Sequence, residues 1–317
     1  MTDHGPVLAI DIGGSKLMLG LVNETGEILA KVKRPFPPSI TADGILRAIQ
    51  ELWRDLRGSC PNLQPRCAGV AIPGLADPRN GIWVHANFTE IEDLRIAALL
   101  EEELKIPVFI ANDVNACAIG EKLYGACREV DDFLWITISN GIGGGLVLRG
   151  EIYEGAYRNA GEIGHLTVVE GGEWCRCGKQ GCLEAYASGA SIARRYAGRR
   201  HLSDPAAATA ASIAEAARSG DDAARSIYAE AGRFLGQAIS YAVNLLNPAK
   251  VILGGGVVMA FDLFRDELTA TMRRMLFAQA NQSLAVETTA LSYNAALIGA
   301  AAIAWTGLRG KNHCLRQ

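Results

Sequence analysis

From Leu8 to Val22 the chain reads LAIDIGGSKLMLGLV, two apolar runs separated by a glycine pair. This pattern predicts strand, tight turn, strand, with a single acid, Asp11, near the end of the first strand. Asn23–Gly26 supplies a further turn, and Ile28–Val32 reads as a third strand ending at the proline-rich stretch Pro35–Pro38. Ile45, Ile49, Leu52 and Leu56 then recur at helical spacing with Leu46 and Trp53, and Gly58 reads as the helix stop. Continuous apolar runs at Ala68–Ile72 and Val108–Ala111 predict buried strands, closed by Pro73-Gly74 and by Asn112-Asp113. Leu94–Leu104 and Val114–Leu123 read as helices. Strands alternating with helices predict an α/β architecture whose sites lie at strand ends.

The second half repeats the opening punctuation. FLWITIS from Phe133 is a strand, Asn140–Gly143 a turn, and Gly144–Leu148 a second strand. A strand–glycine–strand unit in each half is what a duplicated pair of domains produces, with the two turns facing one cleft. Helices follow around Ser191–Ala197, Ile213–Ala217 and Ala223–Leu246. Val251–Leu253 is a strand running into Gly254-Gly255-Gly256, followed by a helix near Leu263–Phe277, a strand near Leu284–Thr289 and a last helix from Asn294. No linker rich in Pro, Gly or Ser separates the halves. The expected division is residues 1–117 plus 296–317 for one lobe and 118–295 for the other, the final helix returning to the first.

Composition narrows the function classes. The 317 residues carry 31 basic and 34 acidic side chains, a formal net charge of −3, which argues against a general nucleic-acid or membrane-surface binder. The one basic cluster, Arg194, Arg195, Arg199 and Arg200, reads as a solvated helix face. The N-terminus shows no signal-peptide pattern, and the apolar stretch Ala295–Trp305 is too short to cross a bilayer. Eight cysteines in such a chain read as free thiols or metal ligands, and the expected location is the cytoplasm.

The candidate chemistry sits at the turns. Neither glycine turn fits a common nucleotide fingerprint: GxxxxGK[ST] is absent, and Gly141-x-Gly143 lacks the third glycine of GxGxxG. Backbone N–H groups in a glycine hairpin can still form an anion site, helped by Ser15 and Lys16, and Asp11 can hold Mg²⁺ through water. Asn112-Asp113, at a strand end before a helix, suits either a general base for phosphoryl transfer or a helix cap. His165, Cys175, Cys177 and Cys182 are spaced H-x9-C-x-C-x4-C. That is a Cys₃His set for a tetrahedral, closed and therefore structural Zn²⁺. Glu162 and Glu184 flank it, two carboxylates suited to accepting hydrogen bonds from hydroxyl groups, or simply surface acids. His165 has one ring nitrogen for zinc and another for a ligand.

Taken together, DIGGSK at 11–16, IPGLAD at 72–77, ANDVNA at 111–116, SNGIGGG at 139–145, GEIGH at 161–165, CRCGKQGCLE at 175–184 and LGGGV at 253–257 make the chain resemble the ROK family of bacterial sugar kinases and repressors, over nearly its full length. The resemblance implies an actin-like, ribonuclease H-like α/β fold with two lobes around an ATP cleft, as a homodimer or homotetramer. It implies ATP-dependent phosphorylation of a hexose 6-hydroxyl, glucokinase-like, with N-acetylmannosamine, N-acetylglucosamine, fructose and allose kinases as alternatives. By resemblance Asp113 is the catalytic base, and Gly74, Asn87, Asn112, Glu162, His165 and Glu184 hold the sugar. Asp11, Gly13, Gly14, Ser15, Lys16, Gly141 and Gly143 match the phosphate and Mg²⁺ side, and Gly254, Gly255 and Gly256 the adenosine side. The zinc ligands carry over to His165, Cys175, Cys177 and Cys182. Three features depart from the pattern: Ser15 stands for a more usual Thr and Asn140 for Thr or Ser. At 87–91 the chain has NFTEI, where many glucokinases carry Asn followed shortly by Trp. The family's repressors carry a helix-turn-helix region before the DxGG turn. With Asp11 as the eleventh residue, the expectation is an enzyme without a nucleic-acid partner.

Overall fold

A computed structural model describes residues 5–14, 16–36, 41–86, 89–202 and 208–310. Two of the expected site residues, Ser15 and Asn87, lie outside the described residues. The chain forms two compact units. The first comprises residues 1–129, 154–159 and 290–317, and the second residues 130–153 and 160–289.

In the first unit, β1 (Val7–Ile12), β2 (Lys16–Val22), β3 (Ile28–Pro35), β4 (Ala68–Ile72) and β8 (Val108–Asn112) form one sheet in the order β3-β2-β1-β4-β8. The β1–β2 and β2–β3 pairs are antiparallel, while β1–β4 and β4–β8 are parallel. Every residue of β1 is buried, because helices cover both faces. Leu8, Ile10 and Ile12 pack with α1 (Ala42–Ser59) and α2 (Ile96–Leu104). Val7 and Ala9 point the other way, toward α9 (Ala295–Gly310). Helix α3 (Asp113–Tyr124) packs beside α9, where an added Cβ on Gly120 would come within 3.0 Å of the Gly299 Cα. This packing explains why the unit extends to Glu129 and takes in Ala290, beyond the boundaries at 117 and 296 expected from sequence.

A second sheet of three short strands, β5 (Leu75–Asp77), β6 (Ile82–His85) and β7 (Glu92–Leu94), completes the unit. It absorbs Leu94, so the helix there starts at Ile96. Helix α1 runs through Gly58 to Ser59, and Cys60 is its C-cap, so Gly58 is an interior residue and not the stop.

One glycine in this sheet is irreplaceable on geometry. A Cβ on Gly69 of β4 would lie 1.9 Å from the Ala300 carbonyl oxygen and 2.9 Å from the Ala304 nitrogen of α9. Both contacts are backbone, so relief requires the helix to move. Gly69→Ala is expected to lower stability by about 2–3 kcal/mol, the range of core overpacking. Urea unfolding of the variant beside the wild type checks it.

The second unit repeats the scheme. Its sheet is β11-β10-β9-β12-β13, from β9 (Phe133–Ile138), β10 (Ile142–Leu148), β11 (Glu151–Ile152), β12 (Lys250–Gly254) and β13 (Ala285–Thr288). Two antiparallel pairings on one side of the central strand and two parallel pairings on the other reproduce the first sheet. The strand–glycine–strand repeat read from sequence is therefore the visible part of a five-strand repeat.

Among the described residues, the α-helices that pack in this unit are α4 (Glu184–Ala187), α5 (Gly189–Arg200), α6 (Ala210–Arg218), α7 (Asp222–Leu246) and α8 (Arg265–Met275). In the basic cluster on α5, Arg194, Arg199 and Arg200 are exposed, the last two in the final turn of the helix, and only Arg195 is partly buried. Arg195 and Arg199 both pair with Glu230 of α7, and Arg194 donates to the Ala185 carbonyl at 3.0 Å. These charges dock α5 on its neighbours. Among the described residues no helix is long and apolar enough to cross a membrane.

Candidate active site

In the first unit the chemistry lies at the carboxyl ends of β1, β4 and β8. Asp11 pairs with Ala71 across β1–β4, and Ala71 with Ala111 across β4–β8. Asp113 therefore starts α3 two strands away from Asp11. Asp11 is 3% exposed, and burial raises its pKa to about 6 against the pull of Lys16. Asp113 is only half-buried by surface, yet its carboxyl group is raised to about 7. Burial is the main cause, the Asp11 charge adds to it, and the Val114 N–H opposes it. A carboxylate poised near 7 at a helix start is what a general base at neutral pH requires.

Asn112 does two jobs. Its Oδ1 caps α3, accepting from the N–H groups of Val114 at 2.9 Å and Asn115 at 3.2 Å. Its Nδ2 donates to the Gly74 carbonyl at 2.7 Å, and the same side chain also hydrogen-bonds the Asp113 carboxyl, lowering its pKa. Gly74 has φ +77 and lies so close to β6 that a Cβ would sit 2.3 Å from the His85 carbonyl oxygen. The cap reading of Asn112 is met.

The β1–β2 turn is closed by the Gly13 N–H donating to the Lys16 carbonyl at 2.9 Å. The Lys16 ammonium lies 3.8 Å from the ring centre of Tyr293, with Lys33 at 5.9 Å from the same ring. The hydrogen bond from Lys16 lowers the pKa of the Tyr293 phenol. Sequence reasoning passed over Tyr293, which sits in a short exposed turn far along the chain with no motif around it.

The second unit gathers its glycines at the ends of β9 and β12. Gly141 lies in the β9–β10 turn, but Gly143 sits within β10 opposite Thr137, so the candidate anion turn is Ser139–Gly141. Gly254 pairs with Thr137. Gly255, at φ +91, approaches β9 so closely that a Cβ would be 2.4 Å from the Ile138 carbonyl oxygen. Gly189 joins them, its N–H donating to the Ser139 carbonyl at 2.7 Å. It escaped sequence reading because it is a lone glycine.

In the same unit His165, Cys175, Cys177 and Cys182 place all four ligand atoms within 4.8 Å of one another. The Cys177–Cys182 Sγ separation is 3.6 Å, and Cys175 Sγ lies 3.7 Å from His165 Nδ1. These match the ligand–ligand edge of about 3.8 Å in a tetrahedron built on zinc–sulfur bonds of about 2.3 Å. Burial, with the neighbouring thiols, pushes Cys182 up to about 12, a penalty that a bound cation would remove. The donor set fits zinc. His165 turns Nδ1 to this cluster and Nε2 toward Glu162 Oε2, at 3.9 Å.

Glu184 connects the cluster to the glycine turn. Its Oε2 accepts the Ile142 N–H at 2.9 Å, and its Oε1 lies 4.0 Å from Cys175 Sγ. One carboxylate oxygen thus holds the anion turn and the other faces the metal loop.

Residues 7–306 match the sequence profile of the ROK family. The chain belongs to the ROK family. It is 35% identical to a glucokinase of Halalkalibacterium halodurans over 268 residues, 80% of this chain and 81% of that protein. It is 28% identical to the DNA-binding transcriptional dual regulator NagC of Escherichia coli over 307 residues, 93% of this chain and 74% of the regulator. A ROK glucokinase structure from Streptomyces griseus, in complex with glucose and AMPPNP, matches with TM-score 0.84 and 31% identity, covering 96% of this chain and 100% of that one. The fold is the actin-like, two-lobed α/β fold of the ROK sugar kinases.

Proposed function

We propose that this ROK protein is an ATP-dependent kinase acting on the 6-hydroxyl of a hexose, with glucose as the first candidate. The observation that carries the reading is Asp113, a carboxylate poised near 7 at the start of a helix capped by Asn112. In this reading Asp113 accepts the proton of the sugar hydroxyl as its oxygen attacks the γ-phosphorus. Phosphoryl transfer otherwise needs mainly alignment and charge neutralisation. Asn112, the carboxylates of Glu162 and Glu184, and His165 Nε2 are the groups suited to sugar hydroxyls. Gly13, Gly14, Lys16 and Gly141 offer N–H and ammonium donors suited to phosphates, and Gly254–Gly256 are the candidates for the adenosine.

Asp11 fits the Mg²⁺ side, because a buried carboxylate with only Lys16 to favour its charge gains most from a nearby divalent cation. Mg²⁺ when bound supplies charge neutralisation at the β- and γ-phosphates. Zinc, held by His165, Cys175, Cys177 and Cys182, has no open position and supplies rigidity to the sugar-holding loop.

Support also comes from the glucokinase relatives, while the NagC relative favours a second reading as a sugar-sensing regulator. A coupled ADP-release assay over glucose, N-acetylmannosamine, N-acetylglucosamine, fructose and allose separates the two. The expected result is sugar-dependent ADP release with the highest kcat/KM for glucose. ADP release that no sugar stimulates would leave the regulator reading standing.

A further inference from the structure

Residues 154–159 belong with the first unit although the chain on either side belongs to the second. What holds them there is Arg158, whose guanidinium is 2.5 Å from Asp77 Oδ2. Asp77 is a deliberate partner. It is 7% exposed and accepts from the Arg79 and Asn80 N–H groups, each at 3.2 Å, and from Asn80 Nδ2 at 2.8 Å. A buried carboxylate so ligated is a fixed point of the structure.

The backbone at Arg158 has φ +61, a left-handed conformation that suits glycine and is strained for arginine. Strain of this kind persists only where the surroundings over-determine it. Here a side chain that reaches Asp77 is the reason to hold arginine at a glycine-like position.

Asp77 ends β5, and β5 begins immediately after Gly74. The Gly74 carbonyl accepts from Asn112, which caps the helix that begins with Asp113. A continuous path of covalent and hydrogen bonds therefore runs from Arg158 through Asp77 and β5 to Gly74 and Asn112. We propose that Arg158 is a positioning residue for the sugar site, holding Gly74 and Asn112 in register through Asp77. It touches no reacting atom. Its loss should loosen sugar binding while leaving the nucleotide side alone. The proposal rests on the kinase reading for its kinetic consequence and on geometry alone for its structural one.

The test uses Arg158→Gly, which removes the ion pair with buried Asp77 but relieves the left-handed strain, so the variant is expected to fold cooperatively with a modestly lowered Tm. The KM for the sugar should rise roughly tenfold, as displaced positioning groups commonly produce, with the KM for ATP within twofold of wild type. Arg158→Lys, which keeps the charge, should recover part of the loss. Amide hydrogen exchange provides a readout independent of turnover: in Arg158→Gly, exchange should accelerate in peptides covering 73–80 and 112–116 and stay unchanged in the β9–β10 region. Unchanged exchange in both peptides overturns the proposal whether or not any sugar is phosphorylated. So does a sugar KM within twofold of wild type, or an equal rise in the KM for ATP. Accelerated exchange in a protein that phosphorylates no sugar would instead sink the kinase reading.

Discussion

Asp113→Asn is expected to lower turnover by roughly 10²–10⁴-fold, the span of general acid–base contributions, with little change in the KM for the sugar. The substitution suits the question because an amide oxygen can keep the Val114 N–H bond that Asp113 Oδ1 accepts at 2.9 Å. Only the ability to take a proton is lost. The pH profile gives the second half of the prediction. With Asp113 raised to about 7 by burial and by the Asp11 charge, wild-type kcat/KM should fall about tenfold per unit below pH 6 and level off above pH 8. The residual activity of the variant should lose that acid limb. Stability runs the opposite way: the folded pKa lies above the unfolded value of 3.8, so the native state holds more protons between about pH 4 and 7. This group therefore weakens the fold as pH rises through that window. Turnover within tenfold of wild type in Asp113→Asn, or an unchanged acid limb, would remove Asp113 from the role of base.

Much of the first unit was legible because its signals are local. The run Leu8–Ile10, the glycine pair and the run Leu17–Val22 became β1, turn and β2, and Ala68–Ile72 became β4. Ile45, Ile49, Leu52 and Leu56 became the buried face of α1. The small sheet β5–β6–β7 escaped because its strands have three or four residues and are partly exposed, too short for a period-2 pattern to stand out. The ion pairs of Arg195 and Arg199 were hidden for a different reason: their partner Glu230 is more than thirty residues away, and charge patterning along one helix cannot reveal it. The close packing of Gly120 on Gly299, which ties α3 to α9, is likewise invisible until both helices are placed. At the candidate site the motifs supplied the candidate residues, while the contacts of Gly189, Tyr293, Asp77 and Arg158 are ones that only the fold creates.

The Cys₃His loop carries the other large expected effect. A wild-type preparation should contain about one zinc per chain, and Cys177→Ser should lose it together with at least tenfold of the activity at fixed sugar concentration, the scale at which metal sites and their outer partners act. The route is physical. Without a cation, Cys175 and Cys182 are pushed up by burial while Cys177 is drawn down by the Lys179 N–H and its thiol neighbours against its own burial, so the three thiolates a metal requires do not form together. His165 then loses the hold on Nδ1 that aims Nε2 toward Glu162. Glu184, whose two oxygens face Ile142 and Cys175, loses one of its fixed surroundings, so damage should also reach the turn at Gly141. The KM for ATP is therefore expected to rise in Cys177→Ser as well as that for the sugar, which distinguishes this loop from Arg158, where only the sugar side should respond. Metal analysis by plasma emission, paired with both KM values, decides it: wild-type protein without zinc would contradict the cluster's reading as a metal site, and a variant that keeps its zinc would remove Cys177 from the ligand set.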